Sequence, residues 1–189
     1  MPAGREPSRV PPWLYAEPML SIVPFEERHV DAVLALIGSV FAEYGLTFDP
    51  AGYDADLTRI ETKYRDAGGE FWVLEHDTRV VGTVAVVPLP SAEVEIKRVY
   101  LDASLRGQGW GSRLVEHALA WARARGHGRA RLWSDVKFTR AHVMYERLGF
   151  VRTGIRDCDD IDRSREHGYE MPVPGAGARR GGGATPGGA

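Results

Sequence analysis

The chain has 189 residues, 43% of them apolar, enough for one hydrophobic core and short for two full domains. A formal net charge of −2 sets up no global field toward nucleic acid or anionic lipid. Cys158 is the only cysteine, which excludes an intrachain disulfide and gives no support to a thiolate metal cluster.

Residues 1–18 carry five prolines and read as a disordered tail. "MLSIVPF" is a first strand. Val30, Val33, Leu34, Ile37, Phe41 and Tyr44 recur at spacings of three and four, one face of a helix. Tyr53, Leu57, Ile60 and Tyr64 repeat that spacing and predict a second helix, capped from Asp49 or Asp54. "EFWVLEHDTRVVGTVAVVPL" reads as a hairpin turned at Asp77 and Thr78, and "VEIKRVYL" as a third consecutive strand. Trp110, Leu114, Ala118 and Ala122 make one row of the next helix, with Gly126 as its stop. "RARLWS" is a strand, Ala141 to Leu148 a short helix ended by Gly149, and "FVRTGI" and "EHGYEMPV" are closing strands. The last sixteen residues, 174–189, hold seven glycines and read as a second tail, leaving one folded unit at 19–173.

Between strand and helix stands "LRGQGWGSRL", residues 105–114. A P-loop would need a lysine near Gly107, and a dinucleotide fingerprint would need glycine where Ser112 stands. What remains is RxxGxG, Arg106 to Gly111, opening a helix. Helix N-termini offer unpaired amides and a positive dipole end, so this segment suits a diphosphate, provided the glycines let backbone come close. A plain glycine-rich turn is the competing reading.

"KRVYLDASLRGQGWGSRLVEHALAWARARG", followed by "AHVMYERLGFVRTG", resembles the Gcn5-related N-acetyltransferase (GNAT) superfamily. The resemblance implies an α/β fold with a mixed, mostly antiparallel sheet of six to seven strands and about four helices. It further implies transfer of acetyl from acetyl-CoA to an amine by direct attack in a ternary complex. In that family the amides of Arg106, Gly107, Gln108, Gly109, Trp110, Gly111 and Ser112 would hold the pyrophosphate. The backbone of Val99, Tyr100 and Leu101 would bond the pantetheine arm where two strands splay. The packing row containing Trp110 marks its ring as an anchor of the helix. Many relatives carry asparagine where this chain has Phe138, so Thr139 is the candidate to supply that contact.

Acetyl transfer needs a base for the ammonium and an acid for the departing thiolate. The resemblance puts a strand glutamate at Glu95, with Glu93 on the same face as second choice and pairing of Glu95 with Lys97 or Arg98 as the structural alternative. Tyr145 matches the tyrosine near the CoA sulfur, and also shares a packing face. His142 reads as a surface or supporting residue. The six histidines lack metal-ligand spacing, so no metal is expected. The four arginines of residues 122–131 read as helix-end charges rather than a nucleic-acid patch. Residues 156–166 cluster four aspartates, read as a solvated loop, with a border to a cationic acceptor as the alternative. Phe41, Tyr44 and Phe48 are further acceptor-side candidates. No membrane partner is expected, the location is expected to be cytoplasmic, and both homodimerisation and the acceptor, small molecule or protein, stay open. A CoA-binding module without turnover is the alternative function.

Overall fold

Short runs, most of them rich in β-branched and aromatic residues, form the seven strands found among the described residues, and the amphipathic segments between them lie on the two sheet faces. The computed structural model describes residues 19–175. The expected tails fall outside these residues except for Pro174 and Gly175. In chain order come β1 (Leu20–Pro24), α1 (Val30–Glu43), β2 (Glu70–His76), β3 (Arg79–Leu89) and β4 (Glu93–Leu101). Then follow α2 (Trp110–Ala124), β5 (Arg129–Asp135), α3 (Thr139–Arg147), β6 (Val151–Asp157) and β7 (Arg165–Pro172). The strands make one sheet in the order β1-β2-β3-β4-β5-β7-β6. Among the described residues only the β4 to β5 pairing is parallel.

Strand alternation divides the core in two. In β2, Trp72 and Leu74 pack with Leu114, Val115 and Ala118 of α2, while Phe71 and Val73 pack with Val33 and Ile37 of α1. Each such buried side chain contributes about 1.5–3 kcal/mol by leaving water. The hairpin turns at Asp77, as the sequence indicates, with φ +58. Gly126 and Gly149 follow α2 and α3 in the left-handed conformation that ends helices.

Three α-helices occur among the described residues, and the second helix that the spacing predicts is not one helix. It is two short turns, Ala55–Thr58 and Glu61–Arg65, broken where Arg59 leaves helical geometry. Leu57, Ile60 and Tyr64 are buried as the spacing demands, whereas Tyr53 is exposed. Asp49 does cap the entry, accepting the Gly52 and Tyr53 amides. Asp54 caps nothing in the turn that follows it, because its carboxylate is committed to Arg98.

The functional region begins at an interruption in the sheet. β4 pairs with β5 only where Glu93, Val94 and Glu95 face Arg129, Ala130 and Arg131. Beyond that point β4 follows β3 and β5 follows β7. Between the pairs Lys97 to Ala85 and Tyr100 to Thr83, β4 holds one residue more than β3, a bulge with Arg98 at φ +53. Bulges bend and twist a strand. Here β4 turns away from β5 and a cleft opens.

Candidate active site

The cleft encloses about 750 Å³ and is walled by residues 96–101 of β4 and 132–135 of β5. At its lip the chain turns through Gly107 (φ +79) and Gly109 (φ +84) into α2. The amides of Gly107, Gly109, Trp110, Gly111 and Ser112 have no hydrogen-bond partner among the described residues. They form the positive end of a fifteen-residue helix. A Cβ added at Gly107 or Gly109 would meet nothing within 4 Å, so protein packing does not require these glycines. Their left-handed backbone does, and it leaves the space beside the amides open. Gly111 differs, since a Cβ there would stand 2.8 Å from Met144 Sδ. Free amides, open space and a long cleft fit a diphosphate-bearing ligand.

Val99, Tyr100, Leu101, Arg106, Gly107, Gly109, Gly111 and Ser112 all line the cleft. Gln108, Trp110 and Thr139 do not. Gln108 turns its amide to the Ser104 carbonyl at 2.7 Å. Trp110 packs on the core with Arg113 4.5 Å above its ring, the anchor its row implies. Thr139 is exposed at the start of α3, so the neighbouring Phe138 faces the cleft in its stead. The Arg106 guanidinium donates to Glu43 and to the Leu101 carbonyl, tying the cradle to the end of α1.

Tyr145 lines the cleft at 4% exposure, and no hydrogen bond to its hydroxyl occurs among the described residues. Burial pushes that hydroxyl well above the ordinary tyrosine range, with smaller contributions from Tyr100 and Tyr169, so it stays protonated. Glu95 stands elsewhere than expected. Alternation around the buried Val94 and Ile96 turns Glu93 and Glu95 to the other face, and neither lines the cleft. Glu95 lies 3.6 Å from Lys97 Nζ, and Glu93 lies 3.7 Å from Arg129.

A smaller cavity of about 70 Å³ adjoins the cleft, sharing Arg98, Tyr100, Asp135, Phe138 and Glu166 with it. Its outer wall is built by two loops fastened together: Asp162 accepts the Thr47 amide at 2.6 Å and the Thr47 hydroxyl at 2.9 Å. The acidic loop is therefore divided. Asp157 and Asp159 are exposed, while Asp160, Asp162 and Glu166 reach this vestibule. Of the aromatic candidates, Tyr44 lines the cleft and Phe41 the vestibule, and Phe48 packs edge-on to Phe41 at 5.7 Å. Cys158 is buried, and burial raises its thiol, which disfavours the thiolate.

Two features, Arg98 and Asp135, escape sequence reasoning. Arg98 donates to Asp54 at 2.7 Å and to Asp56, while Thr83 Oγ1 donates to the Arg98 carbonyl at 2.7 Å, so the bulge is clasped from two sides. The signal was the Lys97-Arg98 doublet inside an apolar strand. His142 is buried and bonds the Asp135 carbonyl at 3.0 Å, the supporting one of its two sequence readings. Asp135 itself sits one residue past the strand end read from "RARLWS".

A diphosphate held at the amide cradle leaves the rest of a long ligand to lie between the diverging strands beside Tyr145. That is the arrangement of an acyltransferase fed by a nucleotide-linked thioester. The family model described as acetyltransferase (GNAT) family matches residues 37–150. The uncharacterized N-acetyltransferase YjgM of Escherichia coli (strain K12) is 33% identical over 141 residues, 68% of this chain and 84% of that protein. N-acetyltransferase 8B of Homo sapiens is 34% identical over 105 residues, 52% of this chain and 46% of that one. The chain spans about half the length of the mammalian relatives it matches. An acetyltransferase structure from Streptococcus agalactiae superposes with a TM-score of 0.72 at 27% identity, covering 81% of this chain and 98% of that one. The yncA structure from Salmonella typhimurium with its cofactor acetyl-CoA shares the fold at a TM-score of 0.66 and 16% identity, covering 82% and 94%. The chain belongs to the acetyltransferase (GNAT) family and is an acyl-CoA-dependent N-acetyltransferase. No helix among the described residues is long and apolar enough to cross a membrane, and no group of three or more His, Cys, Asp or Glu there is placed to hold a metal.

Proposed function

We propose that the chain moves an acetyl group from acetyl-CoA to the amine of a small molecule or a protein, by direct attack in a ternary complex. The observation that carries this reading is that the free amides of α2 and the Tyr145 hydroxyl line one cleft. When bound, acetyl-CoA supplies an acyl carbon activated by its thioester. Gly107, Gly109, Gly111 and Ser112 offer backbone N–H groups to the diphosphate, and the helix dipole adds to their field. The backbone at Val99, Tyr100 and Leu101, unpaired toward β5, serves the pantetheine arm as a neighbouring strand. Tyr145 keeps its proton at neutral pH and gives it to the leaving sulfur.

The acceptor enters through the vestibule beneath the Thr47 to Asp162 bridge. Direct attack needs no protein nucleophile, and a buried, protonated Cys158 accords with that. A lone reduced cysteine and the CoA co-substrate favour a cytoplasmic setting. Glu95, the base expected from the family, does not line the cleft and stands 3.6 Å from Lys97 Nζ. The test is a screen of amines with acetyl-CoA that follows thiol release. Turnover with any amine supports transfer, and tight CoA binding without turnover supports a sensor or partner module instead.

A further inference from the structure

A primary alkylammonium has a pKa of about 10, so at neutral pH almost none of it carries the lone pair that must attack. A base within hydrogen-bond reach of the nitrogen is needed, and it must stand where the acceptor meets the acyl donor. Two carboxylates are shared by the vestibule and the cleft, Asp135 and Glu166. Glu166 is spoken for, since Arg156 binds it at 2.6 Å. Asp135 has no cation within ion-pair distance among the described residues and is 7% exposed.

The position of Asp135 is over-determined. Its Oδ1 accepts the Lys137 amide at 2.8 Å. Its carbonyl accepts from the Phe138 amide and from His142 Nε2, both at 3.0 Å. It closes the β5 to β7 ladder opposite Glu166. Oδ2 is left without a protein partner. The charged groups facing it are otherwise engaged, Arg98 of β4 by Asp54 and Asp56 and Glu166 of β7 by Arg156, while burial and Arg152 hold His167 of β7 below the ordinary histidine value. Tyr100 of β4 and His142 of α3 are held neutral by burial.

We propose that Asp135 is the proton acceptor of the transfer, taking a proton from the acceptor ammonium on Oδ2 where the vestibule joins the cleft. This rests on the acetyl-transfer reading above. The freed lone pair forms the bond to the acetyl carbonyl carbon, and the carbon–sulfur bond breaks with its electron pair on sulfur. Tyr145 protonates the sulfur. The nitrogen's surplus proton returns to the Tyr145 oxygen through solvent, and Asp135 releases its proton to solvent, so each turnover yields one amide, one thiol and one proton.

The experiment compares an amine found by the screen with its alkoxyamine counterpart, in which oxygen replaces the methylene next to nitrogen. The alkoxyamine is neutral at pH 7 and needs no base. Asp135→Asn is expected to lower kcat about 100-fold or more with the alkylamine, the scale of general-base catalysis, and far less with the alkoxyamine. CoA affinity, measured by calorimetry, stays unchanged. Should the Asn variant fail to fold, Asp135→Glu is expected to show a smaller loss with the same selectivity. Glu95→Gln is expected to show no such selectivity. Equal losses on both nucleophiles, or a nucleophile-selective loss in Glu95→Gln, would overturn the assignment. If wild-type protein acetylates no amine in the screen, the transfer reading itself fails and this assignment goes with it.

Discussion

Arg98 Nη1 donates to Asp54 at 2.7 Å, joining the bulge of β4 to the segment that follows α1. Both side chains are nearly out of water, Asp54 at 2% exposure and Arg98 at 11%. Removing Asp54 leaves Arg98 paired with Asp56 alone, so the loss falls below the roughly 3–5 kcal/mol of a wholly unpaired buried charge. Asp54→Ala is therefore expected to lower the urea midpoint and to raise KM for acetyl-CoA, because the residues of the bulge line the cleft. A variant with wild-type midpoint and KM would show the clasp to be idle.

The two cradle glycines of positive φ differ from Gly111 in what they require. At Gly109 an alanine meets no atom, but it must hold φ +84, a strain of about 1–2 kcal/mol for an L residue. Gly109→Ala should fold and lose CoA affinity, since its Cβ occupies space beside the free amides. Gly111→Ala should instead move Met144, whose sulfur stands 2.8 Å from the new carbon, and should lower the melting temperature more than Gly109→Ala does. Calorimetric titration with CoA and thermal melts of both variants separate the two effects.

Tyr145→Phe removes a hydroxyl with no protein partner from a ring packed against Phe150 and Tyr169 at 5.9 and 5.8 Å. Stability and CoA affinity should hold, while kcat falls about 100-fold, the lower end of general-acid catalysis. A wild-type kcat would leave the tyrosine as packing alone.

Acid should loosen the fold well above the carboxylate range. Burial depresses His117, His142 and His167 below the ordinary histidine value, with Arg152 adding to the effect at the last two. The unfolded chain takes up protons near pH 6.5 where these rings do not, so stability is full above about pH 6.5 and is lost as pH falls through their lowered values. His142→Gln retains a donor for the Asp135 carbonyl and removes one titrating ring. Its urea midpoint should fall less than wild type's between about pH 7.5 and 5.5. A variant that loses as much as wild type over that interval would show that the His142 ring does not contribute to the dependence.

What could be read from sequence was local. Apolar, β-rich runs gave the strands, and Arg106 to Gly111 gave the cradle, because strand runs and helix starts are set by near neighbours. Leu57, Ile60 and Tyr64 have helical spacing and are buried, yet no helix spans them. The chain breaks at Arg59 instead, and Arg98, 42 and 44 residues away in sequence, holds Asp56 and Asp54 ahead of the break. Glu95 followed from family position, but it lies in the stretch of β4 still paired with β5, opposite Arg131 and short of the cleft. The vestibule was still less legible, since Thr47 and Asp162 meet across 115 residues of chain.

The parallel pairing of β4 with β5 stops after three residue pairs, so the protein folds with a sheet left unfinished. A ligand whose own amides complete the ladder acts as a missing strand, and its binding is then coupled to the cohesion of two half-sheets. Ligand that binds only the folded state adds about 2.7 kcal/mol at a hundredfold excess over Kd. Amide hydrogen exchange should slow along both lips of the cleft together, because a zipper closed from one side protects the teeth on the other.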